Sequence, residues 1–304
     1  MITEEIPEAL AGQRLDRIVA LIADVSRADA ARLVEHGGVS VDDVVTTSGK
    51  VRVDGGTSIA IDPAAIPAQQ PPLADATIEV PIVHVDTDVI IVDKPPGLVV
   101  HPGAGNPEKT LVNGLLALFP ELSEVGEPQR PGIVHRLDAG TSGLLVVART
   151  ERARLALIEQ FAAHRPSRRY DALVWGVPEA AKGLIDAPVG RDPRDPLRMA
   201  VVANGRDART EYEILDHIEA PLIGSRLACR LQTGRTHQIR VHVASIGHPI
   251  VGDDVYSRGR QSYGLTRPFL HAGELSFDHP ATGERVTYDA PLPPDLTTWL
   301  ATTS

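Results

Sequence analysis

Three side chains in this sequence are of types that act together in chemistry: an aspartate, a tyrosine and an arginine, each set in a motif. The aspartate is Asp138, in the run His135-Arg136-Leu137-Asp138-Ala139-Gly140-Thr141-Ser142-Gly143. That run feeds Leu144 to Ala148, a short apolar segment that reads as a buried strand, with Gly140 and Gly143 punctuating the turn before it. Asp138 is therefore expected on a loop at a strand edge, where a rigid sheet holds catalytic side chains at a cleft. A carboxylate so placed can stabilise developing positive charge or act as a nucleophile. The alternative for a single aspartate beside glycine is a turn cap paired with Arg136.

The tyrosine is Tyr170, expected at the start of a strand running to Trp175 and preceded by Arg165, Arg168 and Arg169. A ring there is either half-buried packing or a face offered to a nucleobase, since aromatic faces and guanidinium planes hold unstacked bases. The arginine is Arg240, in Gly234-Arg235-Thr236-His237-Gln238-Ile239-Arg240-Val241-His242-Val243. Alternating polar and apolar residues predict a strand, with Gln238, Arg240 and His242 on one face and His237, Ile239 and Val241 on the other. The two histidines then point apart, which suits structural roles better than a metal site, and no metal is expected.

The elements that must position these residues fall into two domains. Residues 1–62 form a small unit: Leu15, Ile18, Val19 and Ile22 recur at helical spacing, and Ser26 is placed to cap a second helix whose apolar face is Ala30, Leu33 and Val34. Gly37-Gly38 stops that helix, and short β segments follow at Val39 to Val41, Val44-Val45 and Ser58 to Ile61. Residues 63–75, rich in Pro, Ala and Gln, read as a semi-rigid linker. Residues 76–304 form the larger domain, with a strand at Val89 to Val92, a helix through Leu111, Leu115 and Leu118, and a helix from Glu151 capped by Thr150. The class is α+β.

The whole-chain properties narrow the partners. The single cysteine, Cys229, excludes an intrachain disulfide and paired-cysteine zinc spacing. The N-terminal residues lack a basic lead and an apolar stretch of signal length, which predicts a cytoplasmic protein with no membrane contact. A net charge of -10 argues against nucleic acid when averaged over the molecule. The basic residues nevertheless cluster in three segments: Arg130 to Arg136, His164 to Arg169, and Arg226 to His242. If the fold brings them together, one face is basic on an acidic body.

Residues 1–62 resemble the S4 RNA-binding domain at Arg14-Leu15-Asp16, Ser26-Arg27, Gly37-Gly38, Val39-Ser40-Val41, Lys50-Val51 and Gly55-Gly56-Thr57-Ser58-Ile59. The resemblance implies phosphate contacts from Arg14, Arg27 and Arg32. Where that family has Asn-Gly after its first strand, this chain has Asp42-Asp43, which weakens the electrostatic case. Over nearly its whole length the chain resembles the RluA-type pseudouridine synthase family, and within it the group of the ribosomal large-subunit pseudouridine synthases of type D. The match rests on Lys94-Pro95-Pro96-Gly97, His101-Pro102, the Asp138 motif, Arg169-Tyr170-Asp171-Ala172 and the Gly234 to His242 segment.

That resemblance implies isomerisation of uridine in RNA, with large-subunit ribosomal RNA as first expectation and transfer RNA as second. It implies a larger domain built on a mixed, mainly antiparallel sheet with flanking helices. It implies that Asp138 is the essential carboxylate, that Tyr170 stacks on the flipped base and helps remove the C5 proton, and that Arg240 pairs with Asp138. Arg136 would fill the space left by the flipped nucleotide, Leu270 would touch the base, and Arg168, Arg169 and Arg235 would contact RNA. It implies no cofactor, and a monomer is the default. Two other classes stand beside it: a non-catalytic RNA-binding protein, and a hydrolase pairing Asp138 with a second acid such as Asp171 or Glu211.

Overall fold

The structure is a computed structural model that describes residues 1–25, 27–65, 71–103, 106–195, 198–220 and 222–303. Ser26, and residues 66–70 of the expected linker, lie outside the described residues. The chain divides into two compact units, Met1–Gln70 and Pro71–Ser304.

In the first unit, strands β1 (Ile2–Glu5), β2 (Gln13–Arg14), helices α1 (Leu15–Ile22) and α2 (Arg27–Glu35), and strands β3 (Val39–Val41), β4 (Val44–Val45), β5 (Arg52–Val53) and β6 (Ser58–Ile61) follow in order. Its sheet runs β1-β6-β3-β4, with β2 and β5 forming a separate pair. The helical spacing read from the sequence describes the core: Leu15, Ile18, Val19, Ala30, Leu33 and Val34 are all buried against Ile59 and Ile61. The edge strand β1 was not expected from its polar sequence; it is held by backbone pairing to β6, not by apolar burial. Asp42 and Asp43 form the two-residue β3–β4 turn with φ of 47° and 64°, the left-handed conformation that Asn-Gly adopts at least strain.

The second unit contains β7 (Ile82–Val85), β8 (Val89–Lys94), α3 (Leu111–Leu118), β9 (Ser142–Ala148), α4 (Glu151–Ala162), β10 (Ser167–Trp175), β11 (Lys182–Asp186), β12 (Val189–Arg191) and β13 (Met199–Val201). These are followed by β14 (Arg209–Ile218), β15 (Gly224–Leu231), α5 (Gln238–Ser245), β16 (Leu270–Asp278), β17 (Arg285–Asp289) and α6 (Pro294–Thr303). A nine-stranded sheet runs β11-β14-β15-β10-β16-β9-β8-β7, with β17 on β16. Every pairing in it is antiparallel except β16 with β9.

The unbroken apolar runs of β8 and β9 arise because both sheet faces are covered. Ile90, Val92, Leu145 and Val147 pack with Leu111 and Leu115 of α3, while Val89, Ile91, Leu144 and Val146 pack with Ala153 and Leu157 of α4. Thr150 caps α4 by accepting from the Ala153 N–H, as the sequence predicts.

One strand expectation fails. The segment after Gly234 is the helix α5, and Gln238 through Val243 are all buried. A helix buried all round has no amphipathic period, so the alternation of Gln238, Arg240 and His242 with apolar residues carries no strand signal here. Gln238 and His242 share one helical face, and Arg240 points half a turn away from Gln238.

Gly143 sets the approach of β9 to β16. Its φ is 113°, and a Cβ there would lie 2.3 Å from the Ala272 carbonyl oxygen and 2.6 Å from its nitrogen. Gly143→Ala is therefore expected to destabilise this unit by about 2–3 kcal/mol through left-handed strain and overpacking. Thermal denaturation checks this; an unchanged midpoint would mean that the two strands separate freely at this point.

Candidate active site

The loop carrying Asp138 is fixed through its backbone. The Thr141 N–H donates to the Asp138 carbonyl at 3.0 Å, and the Gly97 N–H to the Ala139 carbonyl at 2.8 Å. Lys94, fully buried, donates to the carbonyls of Pro95 (2.8 Å), Leu98 (2.8 Å) and Ala139 (3.1 Å). Burial pulls its ammonium down to about 7, with Asp138 opposing. From the other side Arg267 donates to the Gly140 carbonyl at 3.3 Å while pairing with Asp295 of α6.

Arg240 reaches this loop from α5. Its Nη1 donates to Asp138 Oδ2 at 3.3 Å, while Nε and Nη2 donate to the two oxygens of Asp253 at 2.7 and 2.9 Å. Asp253 is fully buried and also accepts from the Val255 and Tyr256 N–H groups. The Tyr256 ring lies under the Arg240 guanidinium, 5.1 Å from its centre. Burial would lower the Arg240 pKa, but Asp253 and then Asp138 outweigh it and hold the guanidinium charged. Asp138 keeps a side-chain exposure of 21%, open to a ligand yet bound to a cation.

His237 sits at the start of α5 with φ of 56°. Its Nδ1 is 2.9 Å from the Tyr256 hydroxyl, and its Nε2 is 4.0 Å from Asp138 Oδ2. Burial, opposed by Asp138 and reinforced by Arg240, moves the ring below its ordinary pKa. His242 lies away from this centre, between the Thr210 hydroxyl and the Ala187 carbonyl, and is a structural residue. Gln238 ties the helix start down by accepting from Arg235 N–H and Thr233 Oγ1 and donating to the Arg209 carbonyl.

Asp138 opens on a cavity of about 550 Å³ whose wall includes Tyr170, Leu270, Ile239, Arg168 and Phe161. Tyr170 is buried; burial raises its phenol above the ordinary value, Arg168 opposing and Asp138 adding. The ring is thus a neutral face beside the carboxylate. Among the described residues Asp138 is the only carboxylate lining this cavity. Asp171 is on the opposite face of β10, paired with Arg169 at 3.0 Å, and Glu211 pairs with Gln232 on β14. Neither acid considered for a hydrolytic mechanism faces Asp138.

The expected RNA-contacting arginines separate in space. Arg136, Arg168 and Arg235 line the cavity with Tyr170 and Leu270. Arg136 donates to Thr236 at 2.8 Å and not to Asp138, so the turn-pair alternative is not what the loop forms. Arg169 does not join them: strand alternation turns it away, between Asp171 and Glu274. In the first unit, Arg14 and Arg27 both pair with the buried Asp16, and Arg32 with Asp29. Sequence reasoning missed Asp253, Tyr256 and the anchoring role of Lys94. An arginine between Ile239 and Val241 demands a buried counter-charge, and that demand is the cue for Asp253; for Tyr256 no cue is visible.

Residues 88–245 match the RNA pseudouridylate synthase family, and residues 13–59 match the S4 domain. The chain belongs to the RNA pseudouridylate synthase family. It is 46% identical over 292 residues, 96% of this chain and 90% of the relative, to an uncharacterised RNA pseudouridine synthase of Chloroflexus aurantiacus. It is 45% identical over 299 residues, 96% of this chain and 84% of the relative, to the ribosomal large subunit pseudouridine synthase D of Nitrosomonas europaea. Among solved structures, human RNA pseudouridylate synthase domain containing 1 superposes with a TM-score of 0.59 at 28% identity, covering 73% of this chain and 88% of that one. The enzyme class is an isomerase, and the α+β expectation is met.

Two outcomes follow from the geometry. Asp253→Ala leaves Arg240 half-compensated and is expected to cost about 3 kcal/mol in stability, with a fall in turnover; urea denaturation and single-turnover kinetics measure both. Separately, His135 is half-buried at the cavity wall, accepts the Val146 N–H at 3.0 Å, and is pushed by desolvation to about 3 from its ordinary 6.5. Between about 6.5 and about 3 the unfolded chain binds the extra proton, so stability falls as pH falls through that window. His135→Gln, which keeps an acceptor, is expected to flatten this slope in a pH series of denaturation curves. An unchanged slope would assign the loss to other groups.

Proposed function

We propose that this protein acts in the cytoplasm, as a monomer, on specific uridines of large-subunit ribosomal RNA and converts them to pseudouridine with Asp138 as the essential carboxylate. The observation that carries the assignment of Asp138 is its pairing: the buried Arg240 holds it at 3.3 Å on the wall of the cavity that Tyr170 and Leu270 also line. Family membership supports the reaction. The printed name of the Nitrosomonas europaea relative supports the choice of ribosomal RNA, and the S4 match supports RNA as partner.

In the reaction the C1'–N1 bond breaks, the uracil turns, C5 bonds to C1', the C5 proton leaves and N1 gains one. Asp138 attacks C1', attacks the base or takes a proton from C2', and each route needs the carboxylate ionised. The charged Arg240 guanidinium donates to it at 3.3 Å. A uridine inside a helix cannot reach Asp138, so it is extruded at a cost of a few kcal/mol, offset by stacking on Tyr170 and contact with Leu270. Arg136 on the cavity rim is the residue to occupy the vacated position. Tyr170, kept neutral by burial, acts as the stacking face; as a phenol it is a weak base toward the C5 proton.

Pseudouridine mapping by carbodiimide labelling and primer extension, on ribosomal and transfer RNA from cells lacking the protein, tests this reading. Stops in large-subunit ribosomal RNA are expected to return with the wild type and not with Asp138→Asn, while purified Asp138→Asn retains RNA affinity. Stops returning only in transfer RNA would change the substrate. Release of free uracil would replace isomerisation by hydrolysis, and equal loss of binding would make Asp138 structural.

A further inference from the structure

Three arginines that line the cavity are not ion-paired among the described residues, unlike Arg240 beside them and many others in the molecule. Arg152 pairs with Asp88, Arg169 with Asp171, Arg209 with Asp186, Arg226 with Asp216 and Arg267 with Asp295. Arg168, Arg206 and Arg235 all line the cavity, and none is bridged to a carboxylate among the described residues. Arg235 donates its Nε to the Asp207 carbonyl, and no partner among the described residues engages its two terminal nitrogens. Arg168 donates one nitrogen to the Thr233 carbonyl, and its buried Nε has no acceptor among the described residues. Its guanidinium stacks on Phe161 at 5.4 Å, and a Cβ at Gly234 would come within 2.7 Å of it, so a side chain there would displace it.

Arg206 is held at the cavity by its backbone, which exchanges two hydrogen bonds of 2.9 Å with Val189, while its exposed side chain engages no partner among the described residues. It is near enough to Arg235 to add to the effect of burial in lowering that residue's pKa, with Asp207 opposing. In a chain of net charge -10, where carboxylates are abundant, three guanidinium groups line one cavity and none forms an ion pair with a carboxylate among the described residues. A fork of guanidinium donors matches phosphate oxygens.

We propose that Arg206, together with Arg168 and Arg235, forms a subsite for a backbone phosphodiester of the RNA strand beside the target uridine. This rests on the RNA pseudouridine synthase reading of the cavity and adds Arg206 to it. The base lies against Tyr170 and Leu270, and the neighbouring phosphate is covalently tied to the same nucleotide. The group that neutralises these arginines therefore arrives with the substrate.

The test uses the full chain and a synthetic RNA carrying the mapped uridine, with one neutral methylphosphonate linkage placed in turn at each position around it. Affinity is measured for the wild type, Arg206→Gln and Arg206→Lys. At one linkage the neutral group is expected to weaken wild-type binding about tenfold, to have no further effect on Arg206→Gln, and to have an intermediate effect on Arg206→Lys. The salt dependence of Arg206→Gln is expected to fall by about one ion. Equal losses in wild type and Arg206→Gln at every linkage would overturn the proposal. So would binding of inorganic phosphate that depends on Arg206 without coupling to any linkage, which would mark a free-anion site. Pseudouridine formation by the wild type on unmodified RNA is read in parallel. Its absence would remove the catalytic reading, while the linkage coupling would still decide the subsite.

Discussion

The arrangement depends on one buried cation. Arg240 is buried on α5 with the Tyr256 ring beneath its guanidinium, and a cation cannot stay there without compensation. Asp253 supplies a bidentate partner at 2.7 and 2.9 Å, and Asp138 takes the remaining nitrogen at 3.3 Å. The hierarchy of distances matters for function. Asp253 meets most of the demand, and Asp138, with the longer contact, keeps a side-chain exposure of 21% toward the cavity.

The scaffold limits how far this pair can move. Asp138 sits where β9 begins, in a sheet buried on both faces, and its loop is bound by Lys94 on one side and Arg267 on the other. Arg240 sits on α5, whose start is tied to β14 through Gln238 and whose middle is tied through His242 and Thr210. Two rigid elements distant in sequence thus present one charge each, and their contact is set by the scaffold in advance of any ligand.

Electrostatics are local in this molecule. The net charge is acidic, yet the cavity wall holds Asp138 and a ring of arginines. Charges lining a cavity interact more strongly than the same charges spread over an open surface, so the local arrangement there outweighs the average over the molecule. The first unit differs: Arg14 and Arg27 share the Asp16 carboxylate, and Asp42 and Asp43 add negative charge at the β3–β4 turn. Arg32 is likewise paired, with Asp29.

By itself the sequence determined the elements governed by short-range rules. The helices α1, α2, α3 and α4, the cap at Thr150, the strands β8 and β9 and the loop bearing Asp138 were all legible, because apolar period and turn residues act over a few positions. The motifs around Asp138, Tyr170 and Arg240 stood out through their resemblance to a known family and not through period. Only the tertiary structure decided that the segment after Gly234 is a helix. Its polar residues are satisfied by Thr210, the Arg209 carbonyl and Asp253, all of them remote or on other elements, so burial on every side erased the periodic signal. It also decided that Arg168 faces the cavity and Arg169 does not, and that Asp253 completes the pair. Charge compensation in a buried site is set by which segments meet in space, and that is a property of the packed sheet and not of the neighbouring residues in the chain.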